Sequence, residues 1–408
     1  PQNRFVFLHP LRIANAAIII ALILHVLACS QDGRRLIRFG PATITALLLI
    51  AASLISLYVG PWQTNHNWNA NNDIIWKNGL VMILVEAMAF NVQRVWAVQA
   101  TLMFATLWWV KGGLRLAVAG ATYQGDRIMG PAVSLVENPN GLAYLMTVMI
   151  PLYLYFYKQS PKMWLRIGFL VLALSSVYIV LQTGSRTGLI ALLAVGLFLL
   201  PKYGAKHKVT LTVMGLTVFL LLGALSPGNI ERFKTIPDSA RNFLAGVDEG
   251  ADMSLMTMDE QSAWERKMKN KHTWKVIKLY PVFGVGVNAN DAENIDWDKY
   301  PYAFGQVHNE ILYAGKQMGV IGMGLYLAIL GIIYGGGRVT QKVAKKWWPA
   351  LENLGWTFKM QALVFAVGGF FSPIPWNPLA MILAGSASAL VFNLKTGAYS
   401  ASQPGENG

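Results

Sequence analysis

The chain has 408 residues, of which 54% are hydrophobic and only 13% charged. Soluble domains carry about 25% charged residues, so with a mean hydropathy of +0.41 this composition excludes an ordinary soluble protein. The net charge of +14 would suit nucleic acid, but its distribution along the chain assigns it elsewhere.

In chain order, apolar segments near the roughly 20-residue spanning length are expected at 13–30, 42–60, 74–90, 95–110, 141–157, 167–183, 188–201, 209–226, 311–334, 356–371 and 379–394. The connections 31–41, 91–94, 158–166, 202–208 and 335–355, with the tail after 394, hold fifteen Lys and Arg against three acids. Every second connection is thus basic, as the positive-inside rule requires of cytoplasmic loops. The positive charge sets topology, and nucleic acid is not expected as a partner. The remaining connections, 61–73, 111–140, 184–187, 227–310 and 372–378, fall on the outer side. The longest, 227–310, carries ten basic and thirteen acidic residues, as an exported soluble subdomain would.

The chain therefore divides into N-terminal transmembrane helices (1–226), a large outer loop (227–310), and C-terminal transmembrane helices with an inner tail (311–408). Residue 1 falls outside, and "PQNRFVFLHPLR" lacks the 7–15-residue apolar core of a signal peptide. An upstream helix is expected, making about twelve in all. The single cysteine, Cys29, leaves no disulfide within the chain, and no Cys/His metal cluster is visible. Gly336 and Gly337 read as turn material, as does "NHNWNANND" (65–73). The stretch 259–281 has a helical look, with Trp264, Met268, Lys271, Trp274, Val276, Ile277 and Leu279 broadly on one side; Pro281 and "FGVGVN" stop it.

Three side chains could do chemistry. Arg186 sits in "GSRTG" between two apolar segments. The segment after it, about 14 residues long, spans roughly 21 Å, short of a ~30 Å hydrocarbon core. The turn is therefore sunk below the outer surface, where an arginine needs a partner. The following helix aims its N–H groups and dipole at the same place, and a guanidinium binds phosphate bidentately. A guanidinium snorkelling to the interface fits the same pattern. His308, at the mouth of the run 311–334, can take a proton near neutral pH, with Asn309 or Glu310 to orient it; a polar helix cap also fits. Arg266 in "WERKMK" reads as a solvated helix charge. Gly284 and Gly286 lack the spacing of a phosphate-binding loop.

Taken together, "SRTG", the loop elements Arg266, Trp274 and "PVFGVGVN", and "HNEILYAGKQMGVIGMGLYL" (308–327) resemble the O-antigen ligase and polymerase superfamily. "WWVKGGLRLAVAG" and "RIMGPAVSLVENPNGLAYLM" (108–120 and 127–146) resemble its ligase branch. The resemblance implies an all-α polytopic integral membrane protein of about 11–12 transmembrane helices with one large periplasmic loop subdomain, a GT-C-like glycosyltransferase fold. It further implies a bacterial inner-membrane enzyme, without cofactor or metal, that takes glycan from undecaprenyl diphosphate on the periplasmic side. A ligase passes the glycan to lipid A-core, a polymerase to another glycan, and a protein O-oligosaccharyltransferase to pilin. By resemblance His308 is catalytic, Arg186 and Arg266 bind the diphosphate, and Asn309 and Glu310 support them. The rival from another class is a lipid-linked glycan flippase, which needs charges along a path across the membrane; Lys316 and Glu86 are its main candidates.

The basic loops generate a topology test. Reporter fusions at Gly250 and after Lys395 should report opposite sides of the membrane. Two signals from the same side would move the candidate residues off the outer face.

Overall fold

The computed structural model describes residues 13–61, 70–120, 127–130, 138–203, 227–234, 258–287, 300, 302, 307–345, 348–371 and 376–396. Among them the regular structure is entirely helical: α1 (Ile13–Asp32), α2 (Pro41–Val59), α3 (Ala70–Met88), α4 (Val92–Val118), α5 (Pro139–Gln159), α6 (Met163–Gln182), α7 (Arg186–Tyr203), α8 (Pro227–Lys234), α9 (Met258–Leu279), α10 (Glu310–Ala344), α11 (Pro349–Gly369) and α12 (Pro378–Lys395). Every expected apolar segment except 209–226 falls on a helix, and 209–226 lies outside the described residues. By length and composition, α2, α6, α10 and α12 are long and apolar enough to cross a membrane. The protein is an all-α polytopic membrane protein.

Helix starts follow a repeated chemical device. Asn91, Asn138, Asn309 and Asn377 each turn a side-chain oxygen onto a first-turn N–H, of Arg94, Gly141, Leu312 and Leu379, and Pro follows Asn at 139 and 378. Such caps satisfy N–H groups that have no partner within the helix. Helix α2 starts instead on a carboxylate from a neighbouring helix. Glu86 accepts from the Thr43 N–H at 2.7 Å and from the Ser388 hydroxyl, so one of the two charges that a transport path would use is a buried helix cap.

Helix α10 is the centre of the bundle, packing on α2, α9, α11 and α12, while α5 packs on α4, α6, α7 and α11. Lipid tails are as apolar as leucine, so close approach rather than hydrophobicity drives such contacts. Small residues provide it. A Cβ on Gly337 would stand 2.5 Å from the Gly355 carbonyl oxygen, and one on Gly336 would stand 2.9 Å from the Ala387 Cβ. These glycines are helix-packing residues, a correction to their reading as turn material. Similarly, α4 continues to Val118 through residues expected in an outer loop.

One feature governs the region near the candidate residues. Helix α10 is broken at Met318 and Gly319, whose dihedral angles are non-helical. The segment after α9 fills the break: Val285 and Gly286 N–H donate to the Lys316 and Gln317 carbonyls at 2.9 and 3.3 Å, and the Val320 N–H donates to the Pro281 carbonyl at 2.7 Å. Thus "FGVGV" is a plug for a broken helix. The Gln317 side chain joins in, accepting from Trp376 Nε1 at 2.8 Å and donating to the Val287 carbonyl at 3.4 Å. The Gln317 main-chain carbonyl also accepts from the Ser56 hydroxyl at 2.6 Å.

Gly319 has φ +62°, and a Cβ there would collide with the Pro281 and Val282 carbonyls. Gly319→Ala should therefore lower the apparent melting temperature in detergent, since left-handed strain alone costs about 1–3 kcal/mol. Gly324→Ala in the same helix meets nothing within 4 Å, and should leave stability unchanged or raise it. Equal melting of the two variants would remove the break as a constraint.

Candidate functional site

The turn between α6 and α7 is built from four consecutive residues. Thr183 closes α6, its N–H on the Ile179 carbonyl. Gly184 takes φ +58°, and a Cβ there would collide with the Asn229 side-chain oxygen. Ser185 is the N-cap of α7, its Oγ accepting from the Gly188 N–H at 3.1 Å. Arg186 is the first helical residue. The expectation that this arginine stands at a helix N-terminus matches the geometry.

Two distant segments dock on this turn. From α8, the Asn229 amide donates to the Gln182 carbonyl at 3.2 Å. From the preceding connection, Arg127 Nε donates to the Thr183 carbonyl at 2.9 Å and Arg127 Nη2 to Asn140 Oδ1 at 3.2 Å. The Ser185 hydroxyl donates to the same Asn140 oxygen at 2.9 Å. Arg127 is consequently buried, with its carbon stem fixed against the turn.

Helix α9 completes the arrangement. Arg127, Arg186, Arg232 and Arg266 line one cleft, together with Asn140, Gly184, Thr187, Ser262 and Ala263. Among these residues there is no carboxylate. Four guanidiniums concentrate positive charge around one cleft, and the N-terminus of α7 adds to it. The cleft suits an anion with several oxygens, above all phosphate.

His308 stands beside this cleft rather than in its lining. It is half-buried, immediately before the Asn309 cap of α10. Burial, followed by the positive charges of Arg266 and Lys269, pulls its pKa down to about 4. The imidazole is therefore neutral at physiological pH, the form that accepts a proton. The site's contribution to stability follows: the unfolded chain takes up a proton first, so stability is lost as pH falls from about 6.5 towards 4.

The proposed supporting residues are placed differently from each other. The Asn309 side chain is spent on the Leu312 N–H at 3.0 Å. Glu310 is fully buried, accepting from the Tyr326 hydroxyl at 2.5 Å, with Tyr144 beside the same carboxylate. Structure thus unites Arg186 and Arg266, sets His308 within reach of the field of Arg266, and directs Glu310 into the bundle. Sequence reasoning missed Arg127, Arg232 and Asn140. Their linear signal is that two are arginines in connections expected on the outer side; the contacts that gather them cross long sequence distances.

Residues 168–327 match the family model of O-antigen ligase, Wzy_C. The match bears out the resemblance to the O-antigen ligase superfamily, and it contains Arg186, Arg232, Arg266 and His308. No curated protein matches the chain.

The electrostatics give a direct test. With labelled histidine and His308→Gln to assign the signal, the ligand-free protein should show the His308 ring titrating near pH 4. Arg266→Gln should move the midpoint upward but leave it below 6.5, because burial is the larger cause. A wild-type midpoint near 6.5 would contradict this placement of the ring.

Proposed function

We propose that this chain, matching the O-antigen ligase family across its central residues, is a metal-independent inverting glycosyltransferase. It moves O-antigen glycan from undecaprenyl diphosphate to lipid A-core at the periplasmic face of a bacterial inner membrane. The observation that carries the reading is the arginine-lined cleft beside a neutral histidine.

The chemistry follows from these groups. The donor is already activated, because the bond between the anomeric carbon and a phosphate oxygen breaks with its electron pair leaving on the diphosphate. Arg186 and Arg266, aided by Arg127 and Arg232, stabilise that growing charge in a site of low dielectric. The acceptor hydroxyl attacks the anomeric carbon from the opposite face, so configuration inverts. His308 takes the hydroxyl proton. A pKa near 4 makes a weak base, but a bound diphosphate would offset the charge of Arg266 and raise it. Donor binding therefore prepares the base, and binding of the donor precedes proton transfer.

Donor-analogue binding and single-turnover transfer in nanodiscs, with lipid A-core or free glycan as acceptor, test the reading. His308→Ala should keep donor binding and lose transfer by about 10²–10⁴-fold, the usual size of a general base. Arg186→Ala should weaken both, since the contact acts on the ground state and more strongly on the departing diphosphate. Arg186→Lys should rescue poorly, because a point charge lacks the bidentate fork. Wild-type transfer should survive chelation by EDTA. Near-normal transfer by His308→Ala would remove the base, metal-restored activity would remove the arginines' assigned role, and transfer to free glycan alone would make the protein a polymerase.

A further inference from the structure

Helix α9 has two faces of different character. Trp264, Met268, His272, Val276 and Ile277 are buried, while Lys271, Trp274, Lys275, Lys278 and Leu279 are exposed. This corrects the sequence expectation, which put Lys271, Trp274 and Leu279 on the same side as Trp264 and Met268. Trp274 is 44% exposed, Leu279 52% and, just beyond the helix, Val282 49%. Lys278 Nζ lies 5.9 Å from the Trp274 ring centroid. From Lys267 to Pro281 there is no acidic residue. A face of apolar side chains interleaved with lysines is expensive in bulk water and well suited to a lipid interface, where rings and stems sit among headgroups and ammonium groups meet phosphates.

The depth of this face can be reckoned from α10. Arg338 heads the basic inner end of that helix, and a hydrocarbon core of ~30 Å needs about 20 residues at 1.5 Å each. Counting back from Arg338 puts the other boundary near residue 318, at the break itself. Pro281 bonds across that break to Val320, and Val320 is itself 55% exposed. The end of α9 is therefore pinned at the hydrocarbon boundary, and its last two turns lie at headgroup level.

We propose that the Lys271, Trp274, Lys275, Lys278 and Leu279 face of α9 is a docking surface for anionic phospholipid headgroups of the surrounding bilayer. Charge complementarity selects phosphates over a neutral surface, and the plug in α10 sets the height. Arg266 lies two turns further up the same helix, so the lipid contact also fixes the height of that guanidinium over its cleft. The proposal depends only on the depth of α9 and stands apart from the transferase reading.

The test uses the full chain in nanodiscs of mixed phosphatidylcholine and phosphatidylglycerol. Native mass spectrometry of wild type and K271Q/K275Q/K278Q reads the lipids retained, with equal melting temperatures as the folding control. Wild type should retain phosphatidylglycerol in several-fold preference, and the variant should lose most of the difference. A nitroxide at Val282→Cys, in a Cys29→Ser background, should show oxygen accessibility above that of an aqueous label and nickel-chelate accessibility below it. An unchanged lipid preference in the variant, or a fully aqueous label, overturns the proposal. Preferential retention of a phosphorylated glycolipid over phosphatidylglycerol would also overturn it, in favour of acceptor docking.

Discussion

Buried backbone groups have no water to bond, and the break in α10, among buried Lys316, Gln317 and Met318, is where that constraint is hardest to meet. Two residues, Met318 and Gly319, leave the helical conformation, freeing the carbonyls of the preceding turn. A continuous helix would satisfy them internally; a broken one must borrow partners. The lender is Pro281 to Val287, which returns main-chain hydrogen bonds on both sides of the break. That exchange ties α9 to the bundle core. Gln317 strengthens the tie by reaching both Val287 and Trp376, and Asn78 holds the Trp376 carbonyl in turn at 2.7 Å. The position of Arg266 thus rests on backbone chemistry just beyond the end of its own helix.

The cleft shows a second economy. Arg127 gives donors to a carbonyl and to Asn140, and Ser185 shares that same asparagine oxygen. Such bonds hold a cation without cancelling its charge, because carbonyl and amide oxygens are dipoles and not anions. Two buried acids of the bundle have other work: Glu86 caps α2, and Glu310 accepts from Tyr326. Burial first, and then the positive charges of Arg266 and Lys269, keep the His308 ring neutral. An anion in the cleft would relieve the part of that shift due to Arg266 and so couple cleft and ring.

Helix identity and order were legible in the sequence because a bilayer imposes length and apolarity directly on the chain. Arg186 was legible because it interrupts two apolar runs, and its place at the start of α7 follows from the short segment after it. The pair Gly336 and Gly337 was not legible. Glycine marks turns in water-exposed chain, yet here it lets α10 approach α11 and α12, and only the partners Gly355 and Ala387 distinguish the two uses. The faces of α9 were misread for a related reason. Its apolar residues are split between core and exposed surface, so periodicity alone could not say which face is inside.

What the sequence alone determined is therefore what acts locally: the apolar spans, the alternation of basic connections, the Arg186 turn and the histidine at the mouth of α10. Tertiary structure decided what depends on distant partners. It brought Arg127, Arg232 and Arg266 to the turn of Arg186, turned "FGVGV" from a loop into the plug of a broken helix, and spent Asn309 and Glu310 on a cap and a buried hydrogen bond. The physical reason is range. Hydrophobic length and helix capping are read within a few residues, whereas a shared electrostatic field and a borrowed main-chain hydrogen bond exist only once separate segments meet.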